Sequence, residues 1–220
     1  MEPEFWHARW RDNLIGFHQP DINRHLQQFW PQLGAPPGAG VFVPLCGKSL
    51  DMLWLASQGH PVLGVEISDI AVRAFFEENK LQPDIEPGER FSIWRCGEIT
   101  LLLGDFFDLT ADDVAACGAI YDRASLIALP PDMRQSYANH LAGLFGPGTL
   151  SLLITLDYPQ EQMNGPPFAV PEPEVRALFE PTFEVKALRS VEVLDDEPRF
   201  REQGLTRLTE RVYRMQRKAR

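Results

Sequence analysis

The chain has 220 residues, with 31 acidic against 21 basic side chains and a formal charge of −10, a size suited to one α/β domain with a sizeable core. That charge argues against a nucleic-acid partner, whose phosphates are usually met by clustered Lys and Arg. No apolar run reaches the roughly 20 residues of a membrane span, and Met1, Glu2, Glu4, Trp6 and His7 do not open a secretory leader, so no membrane partner and a cytoplasmic location are expected.

In chain order, residues 5–30 carry Trp6, Trp10, Leu14, Phe17, Ile22, Leu26, Phe29 and Trp30, much of it at three- and four-residue spacing, which predicts helical segments with a turn near 16–20. Residues 31–40, rich in Pro and Gly, read as a linker. A strand at 41–45, a helix at 49–57 stopped by Gly59 and Pro61, and a second strand at 62–66 follow. Ser68 caps the next helix, whose Ala71, Val72, Phe75 and Phe76 keep one apolar face. Residues 83–90 read as loop, and 91–94 with 99–103 as a hairpin.

Further on come a short strand at 119–121 ending in Asp122-Arg123, a helix at 133–145, a buried strand at 150–156 and a helix at 172–179. Residues 183–188 and 208–215 form a β-pair around a loop at 197–204. The expected organisation is a single domain over 1–220, with an aromatic extension and linker at 1–40 and an α/β core at 41–220.

The turn after the first strand, Pro44-Leu45-Cys46-Gly47-Lys48-Ser49, decides the ligand class. A phosphate-cradling loop needs Gly where Phe42 stands, and a dinucleotide turn needs three glycines where only Gly47 is present. What remains is Glu66, a carboxylate ending the second strand, which can accept from both ribose hydroxyls of an adenosine-containing ligand. Adenosine without an essential phosphate fits S-adenosylmethionine. Ligands in such sheets sit outside the carboxyl ends of the strands, which gathers residues 45–47, Glu66, Gly104-Asp105-Phe106 and Asp122-Arg123. Asp105 reads either as acceptor for an adenine amino group or as a turn cap, and Phe106 as a ring platform or as core. Cys46, Cys96 and Cys117 form no ligand set, and His7, His18, His25, His60 and His140 do not cluster, so reduced thiols and no metal are expected.

Trp6 and Trp10 followed by Gly16-Phe17-His18-Gln19, then Pro44-Leu45-Cys46-Gly47-Lys48, Gly64-Val65-Glu66-Ile67-Ser68, Asp105-Phe106-Phe107-Asp108-Leu109 and Tyr121-Asp122-Arg123-Ala124-Ser125-Leu126 closely resemble bacterial thiopurine S-methyltransferases, in order and spacing over nearly the whole chain. The resemblance implies an α/β, Rossmann-like class I methyltransferase fold. It has a seven-stranded sheet, parallel apart from one strand, helices on both faces and an N-terminal helical lid. It implies S-adenosylmethionine as cofactor. Trp6, Leu45, Glu66, Phe106 and Arg123 then fall on cofactor positions, with Asp105 beside them. Phe17, Arg123 and Arg199 fall on the substrate side, with Arg123 as the catalytic residue. The acceptor is a small-molecule thiol, and the enzyme is expected to act as a monomer.

A sulfonium methyl is already activated, so alignment and exclusion of water matter more than a general base. A thiolate is the reactive acceptor, and Arg123 and Arg199 are cations suited to favouring it; their alternative is ion pairing with Asp122 or Glu202. Arg199, Arg201, Arg207, Arg211, Arg214, Arg217, Lys218 and Arg220 make the C-terminus basic. That tail is the support for a rival reading, a class I methyltransferase acting on RNA or protein. A non-enzymatic nucleoside-binding module is the second rival.

Overall fold

The computed structural model describes residues 3–16 and 18–219, and the chain divides into two compact units, Met1–Tyr121 and Asp122–Arg220. In the first unit, helix α1 (Pro3–Arg11) and helix α2 (Arg24–Leu33) form the aromatic extension. Asn23 caps α2 by accepting from the N–H groups of His25 and Leu26, and Leu26, Phe29, Trp30 and Leu33 are buried along one face. The expected linker therefore starts later than Pro31. A proline in the last turn removes one intrahelical N–H only, and the helix stops at Gly34, whose φ of +81° suits glycine.

The first unit's strands are β1 (Gly40–Val43), β2 (Val62–Glu66), β3 (Asp84–Glu86), β4 (Ser92–Cys96), β5 (Ile99–Leu103) and the start of β6 (Cys117–Arg123). Their order is β3-β4-β5-β2-β1-β6. Strands β1, β2, β5 and β6 pair in parallel, joined through helix α3 (Asp51–Ser57) and helix α4 (Asp69–Glu78). Val41, Phe42 and Val43 are buried in succession, which requires apolar cover on both faces of the sheet. The expected hairpin is present, with Cys96 opposite Ile99 and Gly97 at φ +55° between them.

The second unit holds helix α5 (Pro131–Leu144), β7 (Leu150–Asp157), helix α6 (Glu172–Phe179), β8 (Phe183–Glu192), a short helix α7 (Pro198–Glu202) and β9 (Thr209–Arg217). Strand β9 pairs antiparallel with both β7 and β8, and Leu188 bulges out of the β8 register.

Four expectations need correction. The described residues form nine strands rather than seven. The additional pair is β3 and β4, which extend one sheet edge; β4 runs antiparallel to β5, and β9 antiparallel to its neighbours, so more than one strand departs from parallel. Strand β3, read as loop, is exposed and mostly charged, a composition that discourages further pairing at an edge. The loop at 197–204 contains α7, because Phe200 is drawn into a satellite core with Tyr158, Val193, Leu194, Leu205 and Leu208.

Part of the basic C-terminus is engaged by internal partners. Arg207 and Arg211 pair with Asp157 at 3.1 and 3.0 Å, Arg211 also with Glu172, and Arg217 donates to the carbonyls of Ala142 and Thr182.

Candidate active site

The carboxyl ends of β1, β2 and β5 are stitched together around one residue, Glu66, through its side chain and its carbonyl. Leu45 and Gly47 turn the chain with φ of +44° and +53°, an unusual conformation for leucine that sets the following N–H groups toward β2. The Cys46 N–H donates to the Val65 carbonyl at 2.9 Å, and the Gly47 N–H donates to Glu66 Oε2 at 2.9 Å. The Ser68 N–H donates to Glu66 Oε1 at 2.9 Å, while the Gly104 N–H donates to the Glu66 carbonyl at 2.9 Å.

Glu66 is only 6% exposed. Burial pushes its carboxyl above the ordinary carboxylate range, opposed by the N–H groups of Ser68, Gly47 and Ile67. The adjoining Cys46 thiol is pushed well up by burial and by the Glu66 charge, so it stays protonated. The thiol packs where a side chain on Gly64 would otherwise project, 2.7 Å from Sγ, which keeps β2 close to the turn.

Helix α1 reaches the same turn. A Cβ on Gly47 would stand 3.2 Å from the Trp10 ring, and Trp10 is buried. Trp6, half-buried on α1, meets the Phe5 ring edge-on at 5.3 Å. The extension is thus helical as expected, but α2 and Trp10 belong to the core of the first unit rather than to a detached cover. Phe17 lies outside the described residues.

At the end of β5 both residues have structural partners. Asp105 caps the 3-10 turn Phe106–Asp108 by accepting from the Phe107 N–H at 2.9 Å. Phe106 is 5% exposed and stacks on Phe42 with ring centroids 6.4 Å apart, so its ring is core.

In the second unit, Arg123 is the last residue of β6 and is half-buried, next to Ala124 at φ +68°. Arg199 lies on α7, with Nε 3.4 Å from Glu197 Oε2 and its guanidinium 4.5 Å from the Phe200 ring centre. Its side chain is 42% exposed, and its carboxylate neighbour is Glu197 rather than the expected Glu202.

The profile of the family described as Thiopurine S-methyltransferase (TPMT) matches residues 1–218. The chain belongs to that family. It is 53% identical over 215 residues to a thiopurine S-methyltransferase of Pseudomonas fluorescens, covering 98% of this chain and 99% of the relative. It is 50% identical over 218 residues to one of Azotobacter vinelandii, covering 99% and 100%. A SAM-dependent methyltransferase structure from Anabaena variabilis superposes with a TM-score of 0.68 at 16% identity, covering 98% of this chain and 95% of the other, which fixes the fold. The chain is a methyl-transferring enzyme with S-adenosylmethionine as its cofactor.

The first unit fits that cofactor on its own geometry. A carboxylate offers about four acceptor positions, and each Glu66 oxygen accepts one of the two N–H bonds described above, from Gly47 or from Ser68. Acceptor capacity for two ribose hydroxyls remains, and a carboxylate whose charge burial disfavours gains from further donors. Sequence reasoning missed Tyr137, whose hydroxyl donates to the fully buried Asp122 at 2.7 Å. The available signal was the one that revealed Glu66: a carboxylate ending an apolar strand needs partners.

Proposed function

We propose that this methyltransferase acts on sulfur in thiopurines and other aromatic or heterocyclic thiols, as a cytoplasmic monomer in which both units serve one methyltransferase domain. The buried Glu66 carboxylate, oriented by Gly47 and Ser68 with acceptor capacity to spare, carries the reading. The names of relatives covering nearly the whole chain supply the acceptor class. The domain reading draws on a family match that spans both units. In support of a soluble enzyme, no helix of the described residues is long and apolar enough to cross a membrane.

When bound, S-adenosylmethionine supplies a methyl group activated by its sulfonium. The protein holds the reactants in line and keeps water out. Glu66 accepts from the ribose hydroxyls, the backbone beside Leu45 and Phe106 borders the cofactor, and Asp105 accepts from the adenine amino group with the oxygen not engaged by Phe107. Trp6 closes over the reactants, and the family resemblance assigns Phe17 to the substrate side. Arg123 and Arg199 favour the thiolate over the thiol and orient it, since a guanidinium stays charged and donates in a fixed fork. The acceptor would already be the thiolate, held by Arg123 and Arg199 toward the sulfonium methyl, so no side chain would have to remove a proton, and the cofactor would leave as the neutral thioether. Selenium and tellurium nucleophiles, softer still, meet the same requirements.

An RNA acceptor loses its one sequence argument, because Arg207, Arg211 and Arg217 are occupied within the second unit. Purified protein with S-adenosylmethionine should methylate 6-mercaptopurine and leave bulk RNA unmodified. Methyl incorporation into RNA alone would replace the proposal with the rival reading.

A further inference from the structure

Asp122 is the most completely buried carboxylate of the second unit and has no place in the chemistry above. It directly precedes Arg123 on β6, and consecutive strand residues point to opposite faces. Asp122 is buried on one side while Arg123 is half-buried on the other. The chain then turns through Ala124 at φ +68°, a conformation that non-glycine residues adopt only when their surroundings impose it.

The surroundings here are the donors gathered on Asp122. The Tyr137 hydroxyl, from the inward face of α5, donates to Oδ2 at 2.7 Å. The Ser125 hydroxyl and the N–H groups of Ser125 and Leu126 stabilise the same carboxylate from the far side of the turn. One buried anion therefore ties the residue before Arg123 to the two residues after Ala124 and to a rigid helix.

We infer that Asp122 is a positioning residue, which locks the 122–126 turn through Tyr137 and Ser125 so that the Arg123 guanidinium is held in one direction toward the acceptor. The inference rests on the anion-favouring role proposed for Arg123. A chain that needed this anion only for folding would have a cheaper solution: burial pushes the Asp122 carboxyl up to about 6, so its ionised form opposes folding at neutral pH. Asparagine keeps the shape but offers the Tyr137 hydroxyl an uncharged and weaker acceptor.

The test is a double-mutant cycle with the full enzyme, using the aromatic thiolate 5-thio-2-nitrobenzoate and a neutral alkyl thiol as acceptors. Asp122→Asn should raise KM at least about tenfold for the thiolate and less than about threefold for the alkyl thiol, which binds uncharged, a difference on the scale of one charge-assisted hydrogen bond. Added to Arg123→Ala, it should cause no further loss, because both changes remove one interaction. Tyr137→Phe should shift the same selectivity more weakly, and it serves if Asp122→Asn does not fold.

Equal losses for both acceptors in Arg123→Ala overturn the Arg123 role and this inference with it. A selective loss in Arg123→Ala combined with an unselective or additive Asp122→Asn overturns the inference alone. So does an unselective Tyr137→Phe where Asp122→Asn cannot be purified.

Discussion

Glu66 in the first unit and Arg199 in the second hold their charges in opposite ways. Glu66 is buried and fixed by two backbone N–H groups at 2.9 Å, donors that no substitution short of proline removes. Arg199 is nearly half exposed on a five-residue helix, steadied by a 3.4 Å contact with Glu197 and by the face of Phe200. The first arrangement is preorganised, and losing it costs the desolvation of every group left behind; the second is tunable, and its loss is cushioned by solvent. Recognition of the cofactor is proposed on the first kind of scaffold, and discrimination among acceptors on the second. The comparison predicts a ranking in which effects shrink as the charge concerned becomes more exposed.

The largest effect should come from a buried pair outside the site. Arg134 is 1% exposed, donates to the Leu129 carbonyl at 2.9 Å and pairs with Glu174 at 2.6 Å. Glu174→Ala leaves that guanidinium buried without its anion, and unfolding in denaturant should show a loss of about 3 kcal/mol, the low end for breaking a buried pair because the Leu129 bond survives. A loss below about 1 kcal/mol, typical of surface pairs, would break the link between burial and magnitude.

Asp122 tests the same link through pH. Its carboxyl is raised from 3.8 to about 6, so the fold favours the protonated form. That contribution is fully present below about pH 4 and is lost as pH rises through about 6. Between pH 4 and 7 the native protein should therefore lose on the order of 3 kcal/mol more stability than Asp122→Asn, which cannot titrate. Parallel stability profiles for the two proteins would show that the acid is not desolvated in solution.

Much of the first unit was legible in the sequence for the reason that makes it preorganised. Consecutive apolar residues in β1 and β2, Ser68 as a cap and a carboxylate at the strand end are local signals, and they fixed Glu66 and its strand without knowledge of tertiary contacts. What was not legible depends on distant partners. Phe106 could be platform or core until Phe42 was found against its ring. Helix α7 exists because Phe200 joins a satellite core assembled from residues 158–208, and β3 becomes a strand because β4 lies beside it. The basic C-terminus looked like a surface feature because Asp157 and Glu172, which neutralise it, lie some 40–50 positions earlier.

Glu66→Ala comes next in size. Its loss leaves the Gly47 and Ser68 N–H groups unpaired and removes the proposed ribose acceptor. S-adenosylmethionine binding should weaken by about 1–3 kcal/mol in calorimetry, while the unfolding transition of the ligand-free protein shifts less because the carboxylate is itself disfavoured by burial. An unchanged dissociation constant in a folded variant would remove Glu66 from the site and would place the cofactor's anchor elsewhere among the strand ends.

The smallest effect is predicted for Arg199, and there the comparison is sharpest, because a small effect must also be selective. The Glu197 contact is exposed and long, so Arg199→Ala should change stability by less than about 1 kcal/mol. Phe200 remains to hold α7 in the satellite core, which keeps the backbone of the helix in place. The guanidinium itself can only matter to a ligand that carries charge. The KM for an anionic thiol should rise by about five- to tenfold, a solvent-weakened charge-assisted contact of about 1 kcal/mol, while KM for a neutral thiol and cofactor affinity stay within about twofold of the native values. If both acceptors lose equally, Arg199 acts through α7 and not through its charge. If neither changes, acceptor selection rests on Arg123 alone, and the exposed helix has no part in it.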